Sequence, residues 1–146
     1  MQFASNTYFS IEALSMETVT TLDIVPIYAA LLGLIFVPMT LRVGMYRVKN
    51  KIDIGDGEDA VLLRLIRSQA NFVETVPLVL IMAVLMELAG ASAIWLHGVA
   101  GGLVVARILH YLGLSGMGPF VCRPIGIMAT LATYLAAAGW LLYHFL

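Results

Sequence analysis

The polar side chains best suited to bind a ligand lie in the second of four apolar segments of the chain. On a helix at 100° per residue they fall within an arc of roughly 80°, so they form one stripe along a single face. The polar stripe consists of Arg64, Arg67, Asn71 and Glu74. Guanidinium groups bind anions such as carboxylates and phosphates, often bidentately. The stripe therefore indicates a site for an anionic ligand.

A second polar pair, Arg107 and His110, lies three residues apart and therefore shares a helix face. Arg123 reaches the same side of the bundle from the last apolar segment. This side of the bundle then carries four arginines, Arg64, Arg67, Arg107 and Arg123, but only one glutamate, Glu74. Charged groups in a membrane span cost several kcal/mol unless they are paired or hydrated. This imbalance favours an anionic partner. The alternative is that the stripe arginines only extend to the membrane interface while the other stripe residues hold helices together.

Other polar residues give weaker signals. His97 and His144 lie near the outer ends of two apolar segments and could in principle pair on a metal or haem, but two histidines without a carboxylate are usually interfacial side chains, so we expect no metal. The one cysteine, Cys122, excludes a disulfide framework and a multi-thiolate metal site. Residues 54–59 predict a turn that leads into a helix, with Asp56 as its N-cap.

The composition indicates that membrane helices position these residues. Of 146 residues, 61% are hydrophobic and 12% are charged, and the mean hydropathy is +0.95, whereas soluble chains carry about 25% charged residues. A water-soluble globule and a disordered chain are both excluded. The net charge of -1 hides an uneven distribution of charge along the chain, and we expect no nucleic-acid partner.

We predict an all-α integral membrane protein built as a bundle of four transmembrane helices. The predicted spans are residues 24–49, 60–87, 91–114 and 123–145. Uncharged runs of 18, 19 and 23 residues support the first, third and fourth, because about 20 apolar residues cross a bilayer. The second run has only 12, so that span must include the polar stripe. Small residues four apart predict close contact between the last two spans. They are Gly98, Gly102, Ala106, Ala129, Thr133 and Ala137.

The basic residues are distributed on one side of the predicted bundle. All eight Lys and Arg residues surround the first and third connections between spans. The positive-inside rule therefore predicts both connections in the cytoplasm and both termini outside it, with the polar stripe on the cytoplasmic side. Residues 1–23 lack the basic n-region of a signal peptide, so we expect an extracytoplasmic lead-in.

The second span resembles a family signature in the spacing Arg64-x-x-Arg67-x-Gln69-x-Asn71-x-x-Glu74-x-x-Pro77. The family is the membrane-associated proteins in eicosanoid and glutathione metabolism, or MAPEG. Its later landmarks are similar to Arg107-x-x-His110 and to Arg123, which lies thirteen residues after that histidine. The small bacterial inner-membrane branch is the most similar one, from Gly44-x-x-Arg47 and Gly55-Asp56-Gly57. The resemblance covers about residues 24 to 145.

The resemblance implies a homotrimer that binds glutathione, as co-substrate, between neighbouring subunits. It assigns the glutamyl and peptide portions of glutathione to Arg67, Asn71 and Glu74. The carboxylates would be bound or framed by Arg47, Arg64 and His110, with Arg107 in support. Arg123 would be the catalytic residue that faces the sulfur and stabilises the thiolate. The thiolate would attack a lipophilic electrophile or lipid hydroperoxide that arrives from among the membrane lipids.

Three positions depart from the family pattern. Leu114 stands where glutathione-conjugating and prostaglandin-forming members have a tyrosine, Ala70 where the prostaglandin-forming enzyme has an arginine, and Pro124 where it has a serine. Prostaglandin isomerisation is therefore not expected. A non-catalytic scaffold that binds glutathione, lipid or a partner protein stays open as the alternative. A transporter or proton relay is disfavoured, because the polar stripe occupies one half of the membrane.

Overall fold

The computed structural model describes residues 22–146, and four long helices account for most of that range. They are α1 (Val25–Asn50), α2 (Ala60–Leu88), α3 (Ala93–Ser115) and α4 (Cys122–Phe145). Each is long and apolar enough to cross a membrane, which confirms the all-α membrane fold. Their ends differ from the predicted ends by at most two residues. The expected lead-in, residues 1–23, lies almost entirely outside the described residues.

The start of α1 is bound to the end of α2 by one carboxylate. The Glu87 side chain accepts hydrogen bonds from the backbone N–H groups of Asp23, Ile24 and Val25 at 2.9, 2.6 and 2.9 Å. The first N–H groups of a helix have no partner within the helix, so this carboxylate satisfies two of them, those of the N-cap Ile24 and of Val25. Pro26 in the first turn suits the same helix start, because proline has no N–H to leave unpaired.

The turn between α1 and α2 was predicted correctly, but its capping residue was not. Asp59, rather than Asp56, is the N-cap of α2 and accepts hydrogen bonds from the N–H groups of Val61 and Leu62 at 2.8 and 2.9 Å. Asp56 instead accepts from the N–H of Glu58 at 3.1 Å within the turn. The reason is that Glu58 has a left-handed φ of 59°, so the helix cannot begin before it.

The apolar core lies between the helices and extends over most of the bundle. Its buried members include Leu32, Phe72, Val79, Met86, Leu96 and Leu103. A smaller cluster of Val43, Leu62 and Leu65 closes the end near the α1–α2 turn. On the outer surface, α1 exposes large apolar side chains such as Ile27, Leu34 and Val48. Such an exterior is compatible with hydrocarbon but not with water.

Helix α3 contains an irregularity that the sequence analysis did not predict. Its segments Ala93–Leu96 and Gly102–Ser115 are α-helical, but His97–Gly101 forms a π-helical turn. The Tyr28 ring of α1 packs there, where a Cβ on Gly101 would lie 3.3 Å from the Tyr28 hydroxyl. The same hydroxyl shares a hydrogen bond with Nδ1 of His97 at 2.7 Å. The wide turn is therefore bound to α1.

Helices α3 and α4 form the most extensive helix pair and approach most closely at two glycines. A Cβ on Gly126 would lie 2.7 Å from Cα of His110, and one on Gly113 would lie 2.9 Å from Cα of Arg123. The predicted contact between small residues is also present, since a Cβ on Gly102 would lie 3.3 Å from the Thr133 methyl group. The opposing glycines fix the backbone of both His110 and Arg123.

Substitution of Gly126 tests this close approach. Gly126→Ala should destabilise the bundle by about 1–3 kcal/mol, because the added methyl group meets backbone that cannot move aside by changing a rotamer. Gly139→Ala on the same helix is the matched control, since a Cβ there meets nothing within 4 Å. Thermal unfolding in detergent should give a lower Tm for Gly126→Ala and an unchanged or higher Tm for Gly139→Ala. Equal Tm values would contradict the close approach.

The carboxylate of Asp59, the N-cap of α2, should make the stability of the protein depend on pH in the acid range. The backbone N–H of Leu62, helped by Tyr46 and Val61, holds the pKa of Asp59 below its ordinary value. Its stabilising effect is present above the unfolded-state pKa of about 3.9 and is lost as the pH falls through the lower folded-state value. Thermal unfolding should therefore give wild type a higher Tm than Asp59→Asn above about pH 4. If the difference in Tm between wild type and Asp59→Asn does not become smaller below about pH 4, the stabilising role of the Asp59 charge is contradicted.

Candidate functional site

A polar cavity of about 240 Å³ lies between α2, α3 and α4 near the basic end of the bundle, the end formed by connections 51–59 and 116–121. The cavity is lined by Leu63, Arg64, Arg67, Asn71, His110, Leu114 and Arg123. Five of these seven residues are polar. Five of the eight residues predicted for the site therefore line one cavity, although they come from three different helices.

Helical spacing and one short connection bring these residues together. On α2, Arg64, Arg67 and Asn71 are three and four residues apart and so face the same direction. On α3, His110 and Leu114 are one turn apart. Arg123 joins them because residues 116–121 reverse the chain tightly, with the N–H of Gly118 bonded to the carbonyl of Leu112 at 2.9 Å.

Arg107 lies behind the cavity wall rather than on it. Its guanidinium donates to Oδ1 of Asn71 at 2.7 Å and to Oγ1 of Thr130 at 3.1 Å, and its Cζ lies 6.0 Å from the centre of the Phe72 ring. The side chain is only 1% exposed. Arg107 therefore links three helices and fixes the amide of Asn71, which does line the cavity.

Thr130 is a residue of this network that the sequence analysis missed. Its hydroxyl donates to the carbonyl of Gly126 at 2.8 Å and accepts from Arg107. A threonine in an apolar span is usually a packing residue, and its distance of 23 residues from Arg107 carries no periodic signal. Only the packing of α3 against α4 reveals its role.

Two predicted site residues, Glu74 and Arg47, are outside the cavity. Glu74 is exposed on α2 and forms no ion pair with any residue from 22 to 146, so it does not offset the charge of Arg67. Arg47 is half-buried near the end of α1, and its Nη1 atom is buried with no hydrogen-bond partner in that same range. Within one subunit, neither residue lines the cavity.

The cavity wall is strongly cationic. It carries three guanidinium groups and no carboxylate, and the three arginines are exposed on its open side. His110 forms the inner part of the wall and is only 4% exposed. Neither ring nitrogen of His110 has a hydrogen-bond partner among residues 22–146. Because buried polar groups are nearly always hydrogen-bonded, the donor set fits an anionic ligand with additional polar atoms that reach His110.

The remaining histidines and the cysteine lie outside the cavity. His97 is bonded to Tyr28, and His144 stacks on Trp140 with ring centres 4.8 Å apart. The part of the chain that the structure describes holds no group of three or more His, Cys, Asp or Glu suited to a metal ion. Cys122 is half-buried at the first position of α4.

The fold and the cavity define a small integral-membrane bundle with a cationic cavity that is open on one side. The model of the MAPEG family matches residues 25–143, so the chain belongs to that family. The inner membrane protein YecN of Escherichia coli K12 and that of Escherichia coli O6:H1 are each 30% identical over 87 residues. These matches cover 60% of this chain and 66% of each relative. No solved structure matches the chain. Four apolar helices and these relatives support an integral inner-membrane location.

The hydrogen bonds of Arg107 should contribute to stability. Arg107→Met keeps the side-chain length but leaves Oδ1 of Asn71 without its donor, so it should destabilise the protein by about 1–3 kcal/mol. Arg107→Ala also leaves a void and should destabilise it by about 2–5 kcal/mol. Thermal unfolding in detergent compares the two variants with wild type. A Tm of Arg107→Met at or above that of wild type would contradict the stabilising role of these hydrogen bonds.

Proposed function

We propose that this protein is an integral-membrane glutathione transferase or peroxidase that binds glutathione in the polar cavity. One observation carries the proposal: three guanidinium groups and a buried, unpartnered imidazole share a wall that has no carboxylate. Glutathione supplies the missing charge with two carboxylates and a thiol. Membership of a family that includes glutathione transferases supports the same substrate.

The size of the cavity limits how much of the tripeptide one subunit holds. At about 240 Å³ it is smaller than the ~300 Å³ at which small-molecule sites begin. Arg64 and Arg67 would bind a carboxylate beside the amide of Asn71, while the rest of the ligand extends past the open side. We propose that subunits meet there as a homotrimer, so that Glu74 binds the ammonium group and Arg47 a second carboxylate at the subunit boundary.

The chemistry would take place at Arg123. A 100-fold shift from thiol to thiolate requires about 2.7 kcal/mol. Arg123 is exposed within one subunit, so its guanidinium would supply this energy once a neighbouring subunit covers the open side and excludes water. The thiolate sulfur then forms a bond to an electrophilic carbon as the leaving group departs with the bonding electrons. With a lipid hydroperoxide the thiolate sulfur attacks the terminal oxygen instead. An S–O bond forms, the O–O bond breaks and the lipid departs as an alkoxide that takes up a proton, so the hydroperoxide is reduced to an alcohol and glutathione is oxidised to its sulfenic acid. Such lipophilic substrates would enter laterally from the bilayer.

The distribution of basic residues supports a cytoplasmic position for this site. All eight Lys and Arg residues lie in the half of the bundle that contains the basic end or in the 51–59 connection. By the positive-inside rule, that end would lie in the cytoplasm and both termini on the other side of the membrane. The cavity would then be open to the cytoplasmic pool of glutathione.

A second candidate function is a non-catalytic scaffold that binds glutathione, a lipid or a partner protein. The observation that favours it is Leu114, because this side chain presents an apolar surface to the cavity and no hydroxyl group to the sulfur. Such a scaffold would use the same arginines for binding. The two functions differ only in whether bound glutathione becomes a thiolate.

Titration of the purified protein with glutathione separates the two functions. Wild type in detergent should bind glutathione, measured by calorimetry, and produce the ultraviolet absorbance of a thiolate. Arg123→Leu should retain binding and lose at least about 90% of that absorbance, since a 100-fold shift depends on this group. Arg42→Leu is the matched control, because Arg42 contacts Tyr111 and is not on the cavity wall.

Three results are informative about the proposal. Thiolate that depends on Arg123 but not on Arg42 supports the enzyme. Binding without thiolate in wild type rejects catalysis by this route and favours the scaffold. Absence of binding rejects the glutathione site itself.

A further inference from the structure

We propose that His110 accepts the proton of the glutathione thiol and is a second catalytic residue beside Arg123. The inference rests on the proposed glutathione site and replaces the carboxylate-binding role that the family resemblance implies for His110. In this step the S–H bond breaks and an N–H bond forms at a ring nitrogen of His110. The bonding electrons stay on the sulfur, so the products are an imidazolium and a thiolate next to Arg123.

The cavity wall offers no other proton acceptor. Its three arginines are permanently protonated and only donate hydrogen bonds. The amide of Asn71 and the two leucines do not take up protons near neutral pH. Glu74 is outside the cavity, and no carboxylate of residues 22–146 lines it. Among the described residues on the wall, His110 is the one whose side chain has a basic nitrogen free to accept a proton.

The geometry leaves the imidazole free to accept. His110 is buried, yet neither Nδ1 nor Nε2 is hydrogen-bonded within the described chain, so no existing bond must break before a proton arrives. The backbone of His110 is fixed against Gly126, which limits the positions that its ring can reach. Leu114, one turn further along the same helix, offers no hydroxyl that would compete for the sulfur.

The charges around His110 determine when the proton can move. Arg107 lies on the same helix, α2 contributes Arg64 and Arg67, and α4 contributes Arg123. An imidazolium would add to these positive charges unless a ligand offsets them. Bound glutathione brings two carboxylates, and the thiolate formed in the step compensates the imidazolium directly. His110 should therefore take up the proton only in the glutathione complex.

A proton count tests the inference. Wild type and His110→Asn are titrated with glutathione at about pH 7, below the ordinary thiol pKa of about 8.5, in weak buffer with a pH-indicator dye. Thiolate is followed by ultraviolet absorbance and binding by calorimetry. We expect wild type to release close to no proton per thiolate formed, because His110 retains it. His110→Asn should yield at least tenfold less thiolate per glutathione bound than wild type.

The outcomes separate this inference from the proposed function. One proton released per thiolate by wild type overturns it, because the proton then goes to solvent. Full thiolate yield in His110→Asn also overturns it. In both cases the glutathione site and the role of Arg123 stand. Failure of wild type to bind glutathione overturns the proposed function and this inference with it. If His110→Asn does not fold, the wild-type proton count alone decides.

Discussion

The hydrogen bonds of one buried guanidinium organise the functional half of this protein. Arg107 is enclosed by the bundle and contacts Asn71 on α2 and Thr130 on α4, so it joins three helices at the depth of the cavity. A charge in this position is expensive in a membrane protein unless polar groups surround it. The bundle therefore supplies an amide, a hydroxyl and the face of Phe72. The inner wall of the cavity takes its shape from the same contacts.

The two ends of the bundle differ in how their polar groups are satisfied. At the end away from the cavity, the Glu87 carboxylate meets three N–H groups and His97 is bonded to Tyr28. At the basic end, buried atoms of Arg47, Arg107 and His110 have no partners among residues 22–146. Satisfied networks make a structure rigid, whereas unpaired donors are a cost that a ligand can remove. The distribution is consistent with one stable end and one binding end.

Much of the fold could be predicted from the sequence, because uncharged runs of residues indicate membrane spans and helical periodicity indicates which residues lie on the same face of a helix. Arg64, Arg67 and Asn71 face one cavity as their spacing indicates. Contacts between residues of different helices were harder to predict from the sequence. Thr130 and Gly126 look like ordinary packing residues until α4 is placed on α3. The π-helical turn at His97–Gly101 was likewise not predicted from the helical pattern. Glu74 shares the arc of the stripe but lies beyond the cavity, because periodicity specifies direction and not depth.

The contact between α3 and α4 has a consequence for how such a site is mapped. The positions of His110 and Arg123 depend on two residues, Gly126 and Gly113, that have no side chain at all. A survey that replaces each charged or polar residue in turn would find the groups that touch a ligand and overlook the places where the backbone carries the geometry. Comparisons among related chains should therefore weigh the absence of a side chain at these two places as heavily as the presence of any arginine.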